Sequence, residues 1–112
     1  MNNTVILIAA NGMGNAEPEL QLTLMGKYLE LLSQLSTLPA VICFYTDGVK
    51  LVCEGSPMIE RLRDLETRGV RLIVCSTCLN YFKLTDKVKV GIVGGMSDII
   101  TAQADATKVI SI

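Results

Sequence analysis

The sequence contains no histidine and no tryptophan, and aromatic residues make up only 4% of its 112 residues. Its 10 basic and 11 acidic side chains give a formal net charge of -1, and the basic residues form no run. A nucleic-acid-binding domain normally presents a basic face and aromatic side chains on which bases stack. Because both features are missing, we expect no nucleic-acid partner.

Long hydrophobic runs are also missing, since none approaches the ~20 apolar residues that a membrane-spanning helix needs. The first apolar run, Val5–Ala10, has no basic residue ahead of it and is too short for the hydrophobic region of a signal peptide. We therefore expect no membrane segment and a cytoplasmic location. In that compartment thiols stay reduced, so a cysteine pair is more often catalytic or metal-binding than a structural disulfide.

What the sequence does have is five apolar, β-branched runs bounded by Gly, Pro, Asn or Asp, and these predict five strands. Most runs are continuous, which is typical of parallel strands that are buried on both faces. Helical segments between them predict right-handed crossovers and an α/β fold, a three-layer α/β/α sandwich with a mostly parallel five-stranded sheet, in a single domain over residues 1–112. The predicted strands are Val5–Ala10, Ala40–Tyr45, Val70–Cys75, Val88–Val93 and Lys108–Ile112.

Four helices are predicted between the strands. The first, Glu19–Leu35, has a very wide apolar face, for which we expect deep packing against the sheet, with a subunit interface as the alternative. The second is predicted to start with Ser56 as N-cap and Pro57 as its first residue, and to end at Gly69. The third is predicted to begin near Cys78, and the fourth to cover Ser97–Ala106.

Open parallel sheets bind ligands beyond the carboxyl ends of their strands, which predicts a site in the loops at that edge. The first of these loops has two glycines that let the backbone turn tightly, either toward a ligand or simply as a turn. A third glycine needed for a dinucleotide fingerprint is missing, so no cofactor is expected. The candidate binding residues at this edge are Asn11, Gly12, Gly14, Asn15, Asp47, Gly94, Gly95 and Met96.

Cys75 and Cys78 carry the strongest chemical signal. Cys75 ends the third predicted strand, and Cys78 falls in the first turn of the next helix, where free backbone N–H groups stabilise a thiolate. The helix dipole alone is too weak to activate the thiol fully, so additional hydrogen bonds or a cation such as Lys83 or Lys87 would be needed.

Three chemistries fit this pair: persulfide carriage, dithiol redox exchange and metal binding. Metal binding is disfavoured because the chain has no histidine and no second CxxC, so no metal site is expected. Cys43, in mid-strand, should be buried and inert, whereas Cys53 could lie near the site. A non-catalytic module that binds a small ligand or a partner protein at the same edge is the alternative outside thiol chemistry.

Four groups of motifs occur in a fixed order along the chain, and the cysteine segment is the most specific of them. They are Gly12-x-Gly14-Asn15-x-Glu17, Gly48-Val49-Lys50-Leu51 with Glu54-Gly55-Ser56, Leu65-Glu66-x-x-Gly69-Val70, and Cys75-x-Thr77-Cys78-Leu79 followed by Val90-Gly91. With these motifs the sequence resembles the DsrE/DsrF-like sulfur-relay family, and within it the C-terminal domain of YedF-like proteins, which are sulfurtransferase-like and linked to selenium metabolism.

The resemblance implies a small sulfur-carrier or sulfurtransferase-like protein that accepts sulfur as a persulfide and passes it on. By position, Cys78 is the first candidate for the carrier and Cys75 the second, with Cys75 assisting or releasing the sulfur by forming a disulfide. YedF-like proteins usually have a TusA-like domain ahead of this one, and this sequence shows none. The resemblance therefore implies a separate TusA-like donor or acceptor protein. The family also implies a homo-oligomer, and whether the chain acts as an enzyme stays open at this point.

Overall fold

The computed structural model describes residues 3–112, so the first two residues of the predicted domain lie outside the described range. The elements alternate along the chain as the apolar runs predict. They are β1 (Thr4–Ile8), α1 (Pro18–Leu32), β2 (Val41–Phe44), α2 (Ile59–Thr67), β3 (Arg71–Cys75), α3 (Ser76–Phe82), β4 (Ile92–Gly94), α4 (Met96–Asp105) and β5 (Lys108–Ser111), with 3₁₀ helices at Thr46–Val52 and Thr85–Lys87.

The five strands form one sheet in the order β4-β3-β2-β1-β5, and all four neighbouring pairs are parallel. From β1 to β4 the chain steps in one direction across the sheet, so right-handed crossovers place α1, α2 and α3 on one face. The return from β4 to β5 crosses the whole sheet and places α4 on the opposite face, where it packs against β3 and β4. The predicted three-layer α/β fold is confirmed.

The central strands are buried along their whole length, which explains why their sequences are continuous apolar runs rather than alternating ones. The edge strands β4 and β5 remain largely exposed. Large side chains that are almost fully inaccessible fill the core between sheet and helices, among them Ile6, Ile8, Ile42, Phe44, Leu72 and Leu79.

The prediction of the fourth strand is wrong at its start. Val88 forms an isolated antiparallel bridge with Cys53 instead of joining the sheet, and Lys89 N–H donates to the carbonyl of Val52 at 2.8 Å. The apolar residues at this point therefore pack against the end of the first 3₁₀ helix. β4 begins only after Gly91, whose φ of +90° redirects the chain.

The start of the second helix also differs from the prediction, because α2 begins at Ile59. The hydroxyl of Ser56 accepts the backbone N–H of Met58 at 3.0 Å, so it caps the preceding turn rather than the helix. The helix itself ends at Thr67 with Arg68 as its C-cap, and the predicted Gly69 follows directly with a φ of +101°.

Only half of the wide apolar face of α1 packs inward. Met25 and Leu29 are buried, whereas the leucines on the neighbouring stripe are exposed, contrary to the expected deep packing. A subunit interface on that stripe stays a prediction. Within residues 3–112 no helix, α1 included, is long and apolar enough to span a membrane. The exposed stripe consists of Leu20, Leu24 and Leu31 of α1, with Leu35 in the bend after the helix.

Gly48 sits where the first 3₁₀ helix crosses the end of β1. A Cβ at this position would overlap the carbonyl oxygen of Ile8, which already accepts the N–H of Tyr45. The absence of a side chain therefore allows Thr46–Val52 to lie directly on the carboxyl edge of the sheet.

We predict that Gly48→Ala lowers the free energy of unfolding by about 2–4 kcal/mol, because backbone would have to move to admit the methyl group. Gly55→Ala is the matched control, since Gly55 has a φ of +93° but open space around its Cβ position. It should cost only the ~1–2 kcal/mol of the left-handed conformation. Urea denaturation measures both, and equal losses would contradict close packing at Gly48.

Candidate functional site

Cys75 and Cys78 lie at the carboxyl edge of the sheet, as the strand-end rule predicts. Cys75 is at once the last residue of β3 and the N-cap of α3, so the strand leads into the helix without a loop. The helix begins two residues earlier than predicted, and Cys78 is its third residue. Cys75 is buried, whereas Cys78 is partly exposed.

The backbone N–H of Thr46 donates to Sγ of Cys78 at 3.0 Å. Thr46 has a φ of +47°, a left-handed conformation that is rare for a β-branched residue and is typical of functional sites when it occurs. Its hydroxyl donates to the carbonyl of Ala9 and approaches that of Tyr45 at 2.7 Å. These contacts hold the strained residue so that its N–H points at the sulfur.

A polar cleft of about 420 Å³ lies beyond the end of β1, and Asp47, the residue after Thr46, lines it. It brings together four of the predicted binding residues, Asn11, Gly14, Asn15 and Asp47. The other lining residues are Ala10, Pro18, Gln21 and Lys50.

Gly12 does not line the cleft although it belongs to the same loop. It is buried with a φ of +135°, and a Cβ there would lie 2.5 Å from Cβ of Gln21. The next residue, Met13, donates its N–H to the Gln21 carbonyl at 2.9 Å, and the Gln21 side chain donates to the Gly14 carbonyl at 2.6 Å. Gly12 therefore lets the loop fold tightly onto α1 and shapes the cleft from behind.

Two of the side chains that line the cleft are charged. Asp47 and Lys50 form an ion pair at 2.8 Å, and the Lys50 ammonium also lies 4.5 Å from the centre of the Phe82 ring in α3. This pair connects the first 3₁₀ helix to the helix that carries Cys78.

The remaining predicted residues lie on the opposite side of the cysteines. Gly94 pairs with Cys75 in the sheet, and Gly95 N–H donates to the Asp98 carboxylate at 2.8 Å at the start of α4. Met96, the first residue of α4, is about half exposed. The predicted rim is thus divided into two flanks, with Cys75 and Cys78 between them.

A model of the DsrE/DsrF-like family matches residues 4–112. The chain belongs to the DsrE/DsrF-like family. None of the curated proteins compared with it matches significantly.

Two solved structures share the fold of this DsrE-like chain. The ychN protein from E. coli is 20% identical, with 100% of both chains covered and a TM-score of 0.75. MTH1491 from Methanobacterium thermoautotrophicum, a protein of unknown function, is 21% identical, with 97% of each chain covered and a TM-score of 0.69. At these identities the similarity shows the fold, and the closer resemblance to YedF-like proteins stays a prediction.

The electrostatics of Cys78 differ from the expected activation. Burial raises the pKa of its thiol, the hydrogen bond and charge of Cys75 raise it further, and the Thr46 N–H opposes them. The seven-residue α3 supplies only a short dipole. The two lysines suggested by the sequence do not help, because Lys83 caps the far end of α3 and Lys87 lies 3.7 Å from Glu54.

The two other cysteines of this DsrE-like protein are held in the interior. Cys43 is fully buried as predicted, and burial raises its pKa to about 11 although Arg71 opposes the shift. Cys53 is buried as well, donates to the Val49 carbonyl at 3.2 Å, and has a pKa raised by burial. In the described part of the chain, no three cysteine, aspartate or glutamate side chains converge on a metal position.

Three site residues were missed by sequence reasoning: Thr46, Gln21 and Lys50. The role of Thr46 depends on its left-handed backbone conformation, which cannot be predicted from the residue type. Lys50 and Gln21 enter the cleft because a 3₁₀ helix and the first turn of α1 face the same loop; Gln21 belongs to no motif, and the motif that contains Lys50 does not assign it to a site.

We predict that alkylation of Cys78 by iodoacetamide rises with pH through a midpoint above the ~8.5 of an ordinary thiol. A raised pKa means less thiolate at any given pH, so the reaction at neutral pH should be slow. Cys75→Ala removes a hydrogen bond and a charge that both raise the pKa, and should lower the midpoint. Cys53→Ala is the control and should leave it unchanged. A wild-type midpoint below ~8.5 would contradict this electrostatic description.

Proposed function

We propose that this protein is a small sulfur carrier in which Cys78 accepts a sulfur atom as a persulfide and passes it to an acceptor. One observation supports this most strongly: a strained backbone N–H is aimed at Sγ of Cys78, beside a second thiol, at the ligand-binding edge of the sheet.

Accessibility singles out Cys78 among the four cysteines. It is partly exposed, so a second sulfur on its Sγ has room to extend outward, whereas Cys43, Cys53 and Cys75 are buried. The raised pKa of the resting thiol limits its oxidation and alkylation when no sulfur is bound. The Thr46 N–H favours an anion at this position, including the anion of a persulfide.

The proposed transfer needs no oxidant. The Cys78 thiolate attacks the outer sulfur of a donor persulfide, the donor S–S bond breaks, and the donor leaves as a thiolate. Cys78 then carries the extra sulfur. An acceptor thiolate attacks that outer sulfur, and the Cys78 thiolate leaves as the second S–S bond breaks.

Cys75 offers a route for release as hydrosulfide. Its thiol lies close enough to that of Cys78 to raise the pKa of Cys78. Attack of the Cys75 thiolate on Sγ of the Cys78 persulfide would form a Cys75–Cys78 disulfide and expel HS⁻, after which a thiol must reduce the disulfide. The same contact supports a second candidate function, dithiol redox exchange without any persulfide.

A cytoplasmic location fits either chemistry, since thiols stay reduced there. The resemblance to YedF-like proteins supports a separate TusA-like protein as donor or acceptor for one half of the exchange. We also propose that the chain forms a homo-oligomer, and the exposed leucines of α1 support this because monomeric proteins rarely expose such an apolar stripe.

We predict that treatment with a cysteine desulfurase and cysteine, or with inorganic polysulfide, adds one sulfur to Cys78 that dithiothreitol removes. Intact-protein and peptide mass spectrometry detect the adduct. Cys78→Ser should abolish it. Cys75→Ala should retain it and release HS⁻ more slowly, because the internal nucleophile is gone. Cys53→Ala, which removes a thiol away from the pair, should behave like the wild type.

Three outcomes separate the candidates. Failure of both donors to load Cys75 or Cys78 contradicts the carrier function. A reversible Cys75–Cys78 disulfide with a measurable potential and no extra sulfur supports dithiol exchange instead. Unreactive cysteines together with ligand binding at the edge favour a non-catalytic binding module.

A further inference from the structure

We infer that the polar cleft beside Cys78 binds the amino-acid zwitterion of a small thiol, such as cysteine or glutathione, which gives sulfur to Cys78 or takes it away. This inference rests on the proposed carrier function and names the substrate class for one half of the exchange. Its basis is the Asp47–Lys50 pair, its position relative to the sulfur, and the carboxamide walls of the cleft.

The ion pair is connected to both residues that flank the reacting sulfur. Asp47 follows Thr46, whose nitrogen lies 3.0 Å from Sγ of Cys78. Lys50 lies against Phe82, one helical turn beyond Cys78 and therefore on the same side of α3. A short thiol anchored at the pair can thus direct its own sulfur toward Cys78.

The pair has unused hydrogen-bonding capacity for both ends of a zwitterion. The Asp47 and Lys50 side chains are 55% and 40% exposed, and an ammonium has three N–H donors while a carboxylate accepts through two oxygens. A ligand ammonium would bind Asp47 and its carboxylate would bind Lys50. An exposed ion pair contributes little on its own, so rearranging it around a ligand costs little.

The walls of the cleft suit a peptide-like thiol. Among residues 3–112 the side-chain amides of Asn11 and Asn15 have no hydrogen-bond partner, and they can pair with the amide groups of a ligand. The volume of about 420 Å³ is within the usual range for small-ligand sites. Because Asp47 balances Lys50, the cleft offers no net positive charge to small sulfur anions such as thiosulfate.

The chemical step is the thiol exchange described above. The thiolate of the bound ligand attacks the outer sulfur of the Cys78 persulfide, the S–S bond breaks, and the Cys78 thiolate is the leaving group. The ligand departs as its own persulfide. The reverse reaction loads Cys78 from a ligand persulfide.

Binding is tested on the reduced full-length protein with S-methylglutathione and S-methylcysteine, which keep the zwitterion but cannot exchange sulfur. Amide NMR spectra should shift in the segments 11–15 and 46–50, with no response to thiosulfate. Asp47→Asn and Lys50→Gln should each weaken binding about tenfold, the effect of one charge-assisted contact. Glu54→Gln and Lys87→Gln disrupt another exposed ion pair, which does not line the cleft, and should have no effect.

Transfer is tested on protein loaded with polysulfide and then treated with four thiols. These are cysteine, glutathione, cysteamine, which lacks the carboxylate, and mercaptopropionate, which lacks the ammonium. After correction for thiolate fraction, the two zwitterionic thiols should discharge wild-type Cys78 faster. That preference should disappear in Asp47→Asn and Lys50→Gln and persist in the Glu54→Gln and Lys87→Gln controls.

The outcomes distinguish this inference from the proposed function. If Cys78 loads but all four thiols discharge it at rates set by their thiolate fractions alone, the carrier function stands and the zwitterion site is wrong. A preference that survives both cleft variants, or S-methylglutathione shifts outside the two segments, also overturns it. If Cys78 never loads, the carrier function fails, and the binding experiment still decides whether the cleft holds a zwitterion.

Discussion

The hydrogen bond from Thr46 N–H to Sγ of Cys78 joins three elements of the fold. It connects the end of β2 to the first turn of α3, while the Thr46 hydroxyl ties the same residue to the Ala9 carbonyl after β1. The left-handed backbone of Thr46 costs roughly 1–2 kcal/mol, and two hydrogen bonds of about 1 kcal/mol each offset it. Removing either contact would leave the conformation with little to hold it.

This arrangement explains why the site differs from an activated thiolate. Cys78 is placed where burial and Cys75 disfavour its negative charge and a single N–H favours it, with the net direction toward the thiol. Such a cysteine is slow to react with oxidants and alkylating agents at rest. This environment fits the proposed carrier, which would receive sulfur from a directed donor and would not need to react with every electrophile it meets.

Much of the architecture could be predicted from the sequence because it depends on local patterns. Apart from the exposed Arg71, the run Val70–Cys75 is buried, and the alternation of such runs with helices determines the parallel order. The position of the cysteines at the carboxyl edge followed from the same topology. The start of β4 was missed because Val88 is as apolar as a strand residue but pairs with Cys53.

The details of the site depend on tertiary contacts that leave no local pattern. The φ of Thr46, the stacking of Lys50 on Phe82 and the tight packing of Gly12 on Gln21 each join segments distant in sequence. The wide apolar face of α1 illustrates the same limit, because periodicity shows which residues share a face but not how much of it the sheet can cover.

The amide proton of Thr46 provides the most direct test of this account. Because Thr46 N–H donates to Cys78 Sγ, its NMR chemical shift should titrate with the same midpoint as the Cys78 thiol and should change again when one sulfur is added to Cys78. The Tyr45 amide, which donates to the Ile8 carbonyl, is the internal reference and should move much less. A Thr46 amide that does not respond while Cys78 ionises and accepts sulfur would contradict the central role of this hydrogen bond.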